Sequence, residues 1–286
     1  MATAEYLAMR AYQYSRRLGG RLSGRRDRWR GVRILGYHRL SEANEPLSVS
    51  PAAFKRQMEM LLESSVKPIS LDRALELLGS EIDDRYVCVT FDDGYVDNIE
   101  HGEPVLRALE IPATIFLPTA IIDRRARYFW VDQPPPALTW EQIQRVSQEG
   151  LISFQSHGDS HAWLPELSES DVLREFIESK ALIERHAGLP VNSIAFPGGL
   201  YGAREQRLLR QAGYRAGLTT DHGVNTAVQD LTSLRRTLIY SGDSSSDFAA
   251  KLSGLLDGPA RMRNLLYKRF GPSRRSPAPR AADSES

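Results

Sequence analysis

A single cysteine, Cys88, among 286 residues excludes any disulfide within the chain. No run of eighteen apolar residues occurs, so no segment reads as a membrane-spanning helix. The amino terminus lacks the short apolar core and small-residue cleavage site of a secretory signal, and the expectation is a cytoplasmic protein. Charge of one sign is missing as well, the total being only +1, but that balance averages unlike parts. Residues 1–33 hold nine arginines against Glu5 and Asp27, and residues 259–286 hold seven basic residues against Asp283 and Glu285. With an excess of seven at one end and five at the other, a total of +1 leaves −11 on residues 34–258. An acidic middle argues against a nucleic-acid partner, whereas basic ends suit anionic lipid headgroups or another protein.

What is present suits one sizeable catalytic domain, since 286 residues at 41% hydrophobic can bury a substantial core. In the basic arm over residues 1–31, Leu7, Ala11, Tyr14 and Leu18 fall at helical spacing among Arg10, Arg16, Arg17 and Arg21. Such a helix could lie on an anionic membrane through residues 1–30, at the inner membrane face, or pack against the domain. The tail over 257–286 is dominated at its end by Pro, Ser, Arg and Ala and is expected to be largely disordered. No repeat is visible between them.

Residues 32–256 alternate strand and helix patterns, which implies parallel pairing in an α/β fold. Strands are predicted over 32–38, 67–70, 86–91, 113–117, 151–156, 193–197, 215–220 and 234–239. Helices are predicted from Pro51, with Phe54, Met58, Leu61 and Leu62 on one face, and over 71–79, 104–109, 139–150, 170–187, 203–212 and 246–256. Ser50 precedes a first-turn proline, Ser70 is a cap, and Thr139 with Gln142 forms a capping box.

Two short stretches carry the chemistry. Thr90-Phe91-Asp92-Asp93-Gly94-Tyr95 holds an aspartate pair, and Ser156-His157-Gly158-Asp159-Ser160-His161 holds a histidine pair. Two imidazoles and one carboxylate around a divalent transition ion leave positions open for water and substrate, the ligand arrangement of hydrolytic metal centres. One aspartate of the pair is then left over to serve as general base. Asp93-Gly94 is also an ordinary turn signal, and His-x-x-x-His alone is weak. Their shared position is the stronger signal, because each follows a buried strand, where parallel α/β folds place their sites.

With Thr90-Phe91-Asp92-Asp93-Gly94, His157-x-x-x-His161, Phe196-Pro197-Gly198-Gly199 and the opening Ile34-Leu35-Gly36-Tyr37-His38-Arg39, the chain resembles the polysaccharide deacetylases with a NodB-homology domain. The resemblance covers roughly residues 32–256 and implies a distorted (β/α) barrel that removes acetyl groups from N-acetylated sugars with a bound zinc or similar ion. It makes Asp92 the base and Asp93, His157 and His161 the metal ligands. The residue after the third-motif proline, Gly198, would supply an amide to the oxyanion, with Pro197 shaping that turn, although Pro197-Gly198-Gly199 is also an ordinary strand-to-helix turn.

Departures from the family pattern set further expectations. Where many members carry an arginine that pairs with the base, this chain has Ala195; Arg235 or Arg236 could substitute from another direction, or the site resembles the subgroup with a Phe-Ala-Tyr-Pro-like third motif that manages without that arginine. Asp221 sits near a further active-site aspartate of the family. A late Leu-x-x-His motif is absent, because no histidine follows His222, so the acid for the leaving amine falls to His222 or to His38. Both would face the same barrel mouth, and each also reads as a plain loop or mouth-closing histidine. His101 and His186, among charged helix neighbours, are assigned no function.

Of the aromatics, Trp163 lies two residues past His161 and is the candidate for stacking on a sugar ring. Trp140 reads as a helix-start core residue, Trp130 as packing for a long loop, and Tyr201 as either a sugar-stacking or a packing residue. Cys88 reads as a small buried hydrophobe. The functional expectation is a metal-dependent carbohydrate deacetylase acting on an acetylated saccharide, polymeric, oligomeric or lipid-linked. An O-acetyl esterase, a hydrolase of a non-sugar amide and a silent saccharide-binding barrel are the alternatives.

Overall fold

Apolar runs bounded by turn residues become strands here because each is buried on both faces, as a parallel sheet covered by helices demands. The computed structural model describes residues 29–131 and 134–257. The expected arm over 1–31 and tail over 257–286 therefore lie outside the described residues, apart from residues 29–31 and Asp257. So does the expected membrane contact of residues 1–30. Among the described residues no helix is long and apolar enough to cross a membrane.

In chain order come β1 (Gly31–Tyr37), β2 (Arg39–Leu40), β3 (Ser48–Val49), α1 (Pro51–Glu63), β4 (Lys67–Pro68), α2 (Leu71–Leu77) and β5 (Arg85–Phe91). A π-helical turn over Asn98–Gly102 leads into α3 (Glu103–Ala108), then β6 (Ala113–Leu117), α4 (Thr119–Ile122), α5 (Trp140–Gln148), β7 (Ile152–Ser156) and α6 (Glu169–Ala187). The remainder is β8 (Ser193–Ala195), α7 (Ala203–Gln211), β9 (Ala216–Leu218), β10 (Thr237–Leu238) and α8 (Ser245–Leu252). β2 and β3 pair only with each other.

Every pair in the main sheet is parallel, in the order β10-β1-β5-β6-β7-β8-β9, with β4 beside the first half of β5. Gly36 lies opposite Thr90, which lies opposite Thr114, and Ser156 lies opposite Ile194. Leu234 bridges Leu218 while Thr237 and Leu238 pair with β1, so one segment touches both edges and the sheet curls into a distorted α/β barrel. Parallel order then sends the carboxyl ends of β1, β5, β7 and β8 to one face. His38, Asp92, His157 and Phe196 are the residues that immediately follow those ends.

Local signals set the helices. Ser50, Ser70 and Thr139 each accept a backbone N–H of the first turn, and Thr139 and Gln142 form the full capping box. Each such cap is worth about 1 kcal/mol. Phe54, Met58 and Leu61 are buried as expected, but Leu62 is 46% exposed, because the buried stripe runs through 54, 58 and 61 and turns the next residue outward. Trp140 is half-buried rather than core and stacks on His186, ring centroids 4.3 Å apart. Cys88 is buried, and burial pushes its thiol far above the usual range.

Candidate metal centre and active site

The two motifs meet at the barrel mouth. Asp93 follows β5 in a left-handed conformation, φ 71°, with Gly94 left-handed after it at φ 63°. Only glycine suits that second position, since a Cβ there would stand 2.9 Å from Leu117 Cδ2. His161 is left-handed as well, φ 61°. Non-glycine residues in this region cost on the order of 1 kcal/mol or more and persist where the surroundings hold them, often at functional sites.

Asp93 Oδ1 lies 3.4 Å from His157 Nε2 and 3.3 Å from His161 Nε2. Ligand bonds of 2.0–2.2 Å in a tetrahedral site place neighbouring donors about 3.3 Å apart, so this spacing would suit three donors around one small divalent cation. His157 Nδ1 donates to the Ala195 carbonyl at 2.7 Å, which leaves the Nε2 lone pair facing the cluster. Asp93 Oδ1 is buried and has no hydrogen-bond donor of its own. Burial would raise the Asp93 carboxyl, yet the two imidazoles hold it well below the usual range. An orphaned carboxylate oxygen and two imidazole nitrogens converging on one point fit a divalent cation. Among the described residues no other group of three such side chains is arranged this way.

Asp92 is the aspartate left over, and Arg236 holds it. The guanidinium is fully buried, donates from Nη1 and Nη2 to the two carboxylate oxygens at 2.6 and 2.7 Å, and donates from Nε to the Thr219 carbonyl at 2.9 Å. Of the two arginines that could replace the side chain missing at Ala195, it is therefore Arg236, one residue ahead of β10, that does so. Burial pushes the Asp92 carboxyl up, but Arg236 and His157 outweigh it and keep the group ionised. Each bound oxygen retains a second lone pair. His38 Nε2 stands 3.8 Å from Asp92 Oδ2, and burial holds its imidazole below the usual value, so it is neutral near pH 7.

The third motif forms the opposite rim. Pro197 borders Gly158, and Gly198 takes φ 61° in the turn that follows β8. A Cβ on Gly199 would stand 2.1 Å from Thr220 Oγ1, so the close approach of this turn to the end of β9 needs glycine. Trp163 Nε1 lies 3.6 Å from where a Cβ of Gly198 would be, which places Trp163 at that rim. Tyr201 stacks on Phe196 at 5.3 Å and donates to Asp221 Oδ2 at 3.0 Å, while the Asp221 carbonyl accepts the Arg236 amide.

His222 belongs elsewhere. Beyond β9 the chain turns back to pair Asn225 with Val32, and His222 Nε2 meets Asp257 Oδ1 at 3.0 Å. Asp257 in turn accepts both guanidinium nitrogens of Arg33 at 3.0 and 2.8 Å. This separate ionic group corrects the expectation that His222 faces the mouth beside His38, and leaves His38 as the histidine next to Asp92. It also carries a pH signature. Burial would raise the Asp257 carboxyl, but His222 and Arg33 bring it down from 3.8 to about 2. A depressed carboxylate stabilises the fold above its unfolded value and loses that contribution as pH falls through the folded one, here between 3.8 and about 2. Acid unfolding followed by circular dichroism should show Asp257→Asn less stable than the parent near neutrality, with the gap closing over that window.

Several contributors are given no role by the motifs. Asp159, between the two histidines, accepts Thr119 Oγ1 at 2.6 Å and a bidentate Arg125 at 3.0 and 2.7 Å. Glu175 on α6 accepts the amides of Asp159 and Ser160 at 2.8 and 2.9 Å and the Ser160 hydroxyl at 2.6 Å. Together they brace the loop between the two histidines. Trp130, expected only to pack its loop, stacks on His161 with centroids 3.9 Å apart. The placement of Asp159 inside the histidine motif was the one sequence signal for any of these.

An α/β barrel whose polar cluster sits at the carboxyl ends of its strands has the layout of an enzyme. The family model described as Polysaccharide deacetylase matches residues 79–217, and the chain is similar to that family. It is 29% identical over 224 residues to YxkH of Bacillus subtilis strain 168, which bears the family's name, spanning 78% of this chain and 76% of that one. It is 24% identical over 250 residues to the poly-beta-1,6-N-acetyl-D-glucosamine N-deacetylase of Escherichia coli strain K12, spanning 72% of this chain but only 36% of that relative. The solved structure of IcaB from Ammonifex degensii superposes with a TM-score of 0.69 at 25% identity, over 79% of this chain and 98% of that one.

Proposed function

We propose that this chain hydrolyses the acetamide of an N-acetylated amino sugar, releasing acetate and a free amine, with a divalent metal ion, zinc foremost, held by Asp93, His157 and His161. The observation that carries the reading is the convergence of those three donors with an Arg236-bound carboxylate, Asp92, beside them. The poly-beta-1,6-N-acetyl-D-glucosamine N-deacetylase among the relatives supports a polymer or oligomer of N-acetylglucosamine as the substrate class. A bound ion at these donors supplies Lewis acidity, polarising the acetyl carbonyl and making a neighbouring water easier to deprotonate.

The chain's own groups carry the protons. Asp92, kept ionised and oriented by Arg236, takes the proton of the attacking water. The Gly198 amide donates to the acetyl oxygen as that atom becomes negative. His38, neutral at rest and 3.8 Å from Asp92, receives a proton from it and delivers it to the leaving nitrogen. Trp163, at the Gly198 rim, offers a ring face to the sugar.

Acetate release from N-acetylglucosamine oligomers, alongside O-acetylated sugars and non-sugar acetamides, tests the reading. Turnover of the oligomers should stop on chelation and return with zinc. Preference for the O-acetyl or non-sugar substrates would replace it with the esterase or amidase alternative, and metal-independent turnover would end the metal assignment. His38→Ala should depress kcat far more on the amide than on an activated acetyl ester, whose leaving group needs little protonation.

A further inference from the structure

The two ligand residues with left-handed backbones, Asp93 and His161, sit on different loops, after β5 and β7. β6 lies between those strands in the sheet, and the chain that follows it contacts both ligands. The Tyr128 hydroxyl donates to the Asp93 carbonyl at 2.9 Å, and the Trp130 ring lies on the His161 imidazole at 3.9 Å with 25° between the planes. Phe129 adds an edge contact to His161 at 6.2 Å. The run is itself fastened to the Asp93 loop. Trp130 Nε1 donates to the Tyr95 hydroxyl at 3.1 Å, and Tyr95 stacks on Tyr128 at 4.7 Å. On the far side of the loop, Val96 donates to the Pro136 carbonyl and Leu138 to the Gly94 carbonyl.

From this placement we propose that Tyr128-Phe129-Trp130 is an aromatic strap that sets the separation and orientation of Asp93 and His161, with Tyr128 and Trp130 as positioning residues for the metal. The inference rests on the reading of Asp93, His157 and His161 as ligands. A left-handed backbone needs outside contacts to persist, and for both of these residues the strap supplies one. His157 is held differently, by the Ala195 carbonyl. The strap thus acts on two of three ligands, and on the two whose backbones most need holding.

Zinc affinity, measured by chelator competition on the metal-free full chain, tests this without reference to turnover. Tyr128→Phe removes one hydroxyl and keeps the stacked ring, and Trp130→Leu removes the stack. Each should weaken zinc about 10–100-fold, the size seen when groups that orient metal ligands are lost. Trp130→Phe should restore part of that loss. The metal-free unfolding midpoint of Tyr128→Phe should stay close to the parent's, which separates positioning from general damage. Zinc should also change the tryptophan emission of the parent, and that change should be missing in Trp130→Phe. Parent-like zinc affinity in Tyr128→Phe and Trp130→Leu, with His161→Ala impaired, would overturn the strap while leaving the ligand reading intact. A parent chain that binds zinc no better than His161→Ala would overturn both.

Discussion

Asp92→Asn is expected to keep its metal and lose its turnover. Asp92 lies outside the group of three converging donors, so asparagine at that position leaves Asp93, His157 and His161 in place. What disappears is the ionised oxygen that accepts the water proton, and general base catalysis is worth about 10²–10⁴-fold. The expected result is a kcat on N-acetylglucosamine oligomers lower by about that factor, with zinc retained after dialysis. Asp93→Ala, His157→Ala and His161→Ala should instead lose zinc and turnover together. Full activity in Asp92→Asn would end the assignment of the base, and loss of zinc from it would make Asp92 a ligand.

Arg236→Met should damage the fold as well as the chemistry. Arg236 is fully buried and donates from Nη1 and Nη2 to Asp92. Removing one partner strands a buried charge at a cost of about 3–5 kcal/mol. In a chain of this size that corresponds to a melting temperature lower by roughly 10 °C. Combining Arg236→Met with Asp92→Asn removes both charges, so the double variant should be more stable than the sum of the single losses predicts. A parent-like melting temperature in Arg236→Met would show that the pair contributes little. Turnover of the double variant should be at least as low as that of Asp92→Asn whatever its stability, because it too lacks the ionised oxygen of Asp92.

Asp92, Asp93, His157 and His161 were legible because their signal is local: an apolar run, then a polar pair at its end. A parallel sheet sends all such ends to one face, so the order of strands and loops was enough to bring the two motifs together. Capping residues placed the helix starts for the same reason, since Ser50, Ser70 and Thr139 act on amides within their own first turn.

Contacts across the barrel were decided otherwise. Arg235 and Arg236 are neighbours in sequence, but side chains alternate in extended chain, and only the pairing of the next two residues with β1 turned Arg236 inward to Asp92. His222 was drawn to Asp257, thirty-five residues away, by a chain reversal that no local pattern announces. Trp130 reads as loop packing in the sequence, but the chain after β6 contacts both Asp93 and His161 and lays this ring on the latter. At Ala195 the side chain is too short to reach the site, yet its carbonyl orients His157. Local patterning thus determined which residues stand at the strand ends of this protein. Which of them touch was settled by strand register and loop path, because those depend on burial summed over the whole sheet rather than on any neighbouring residue.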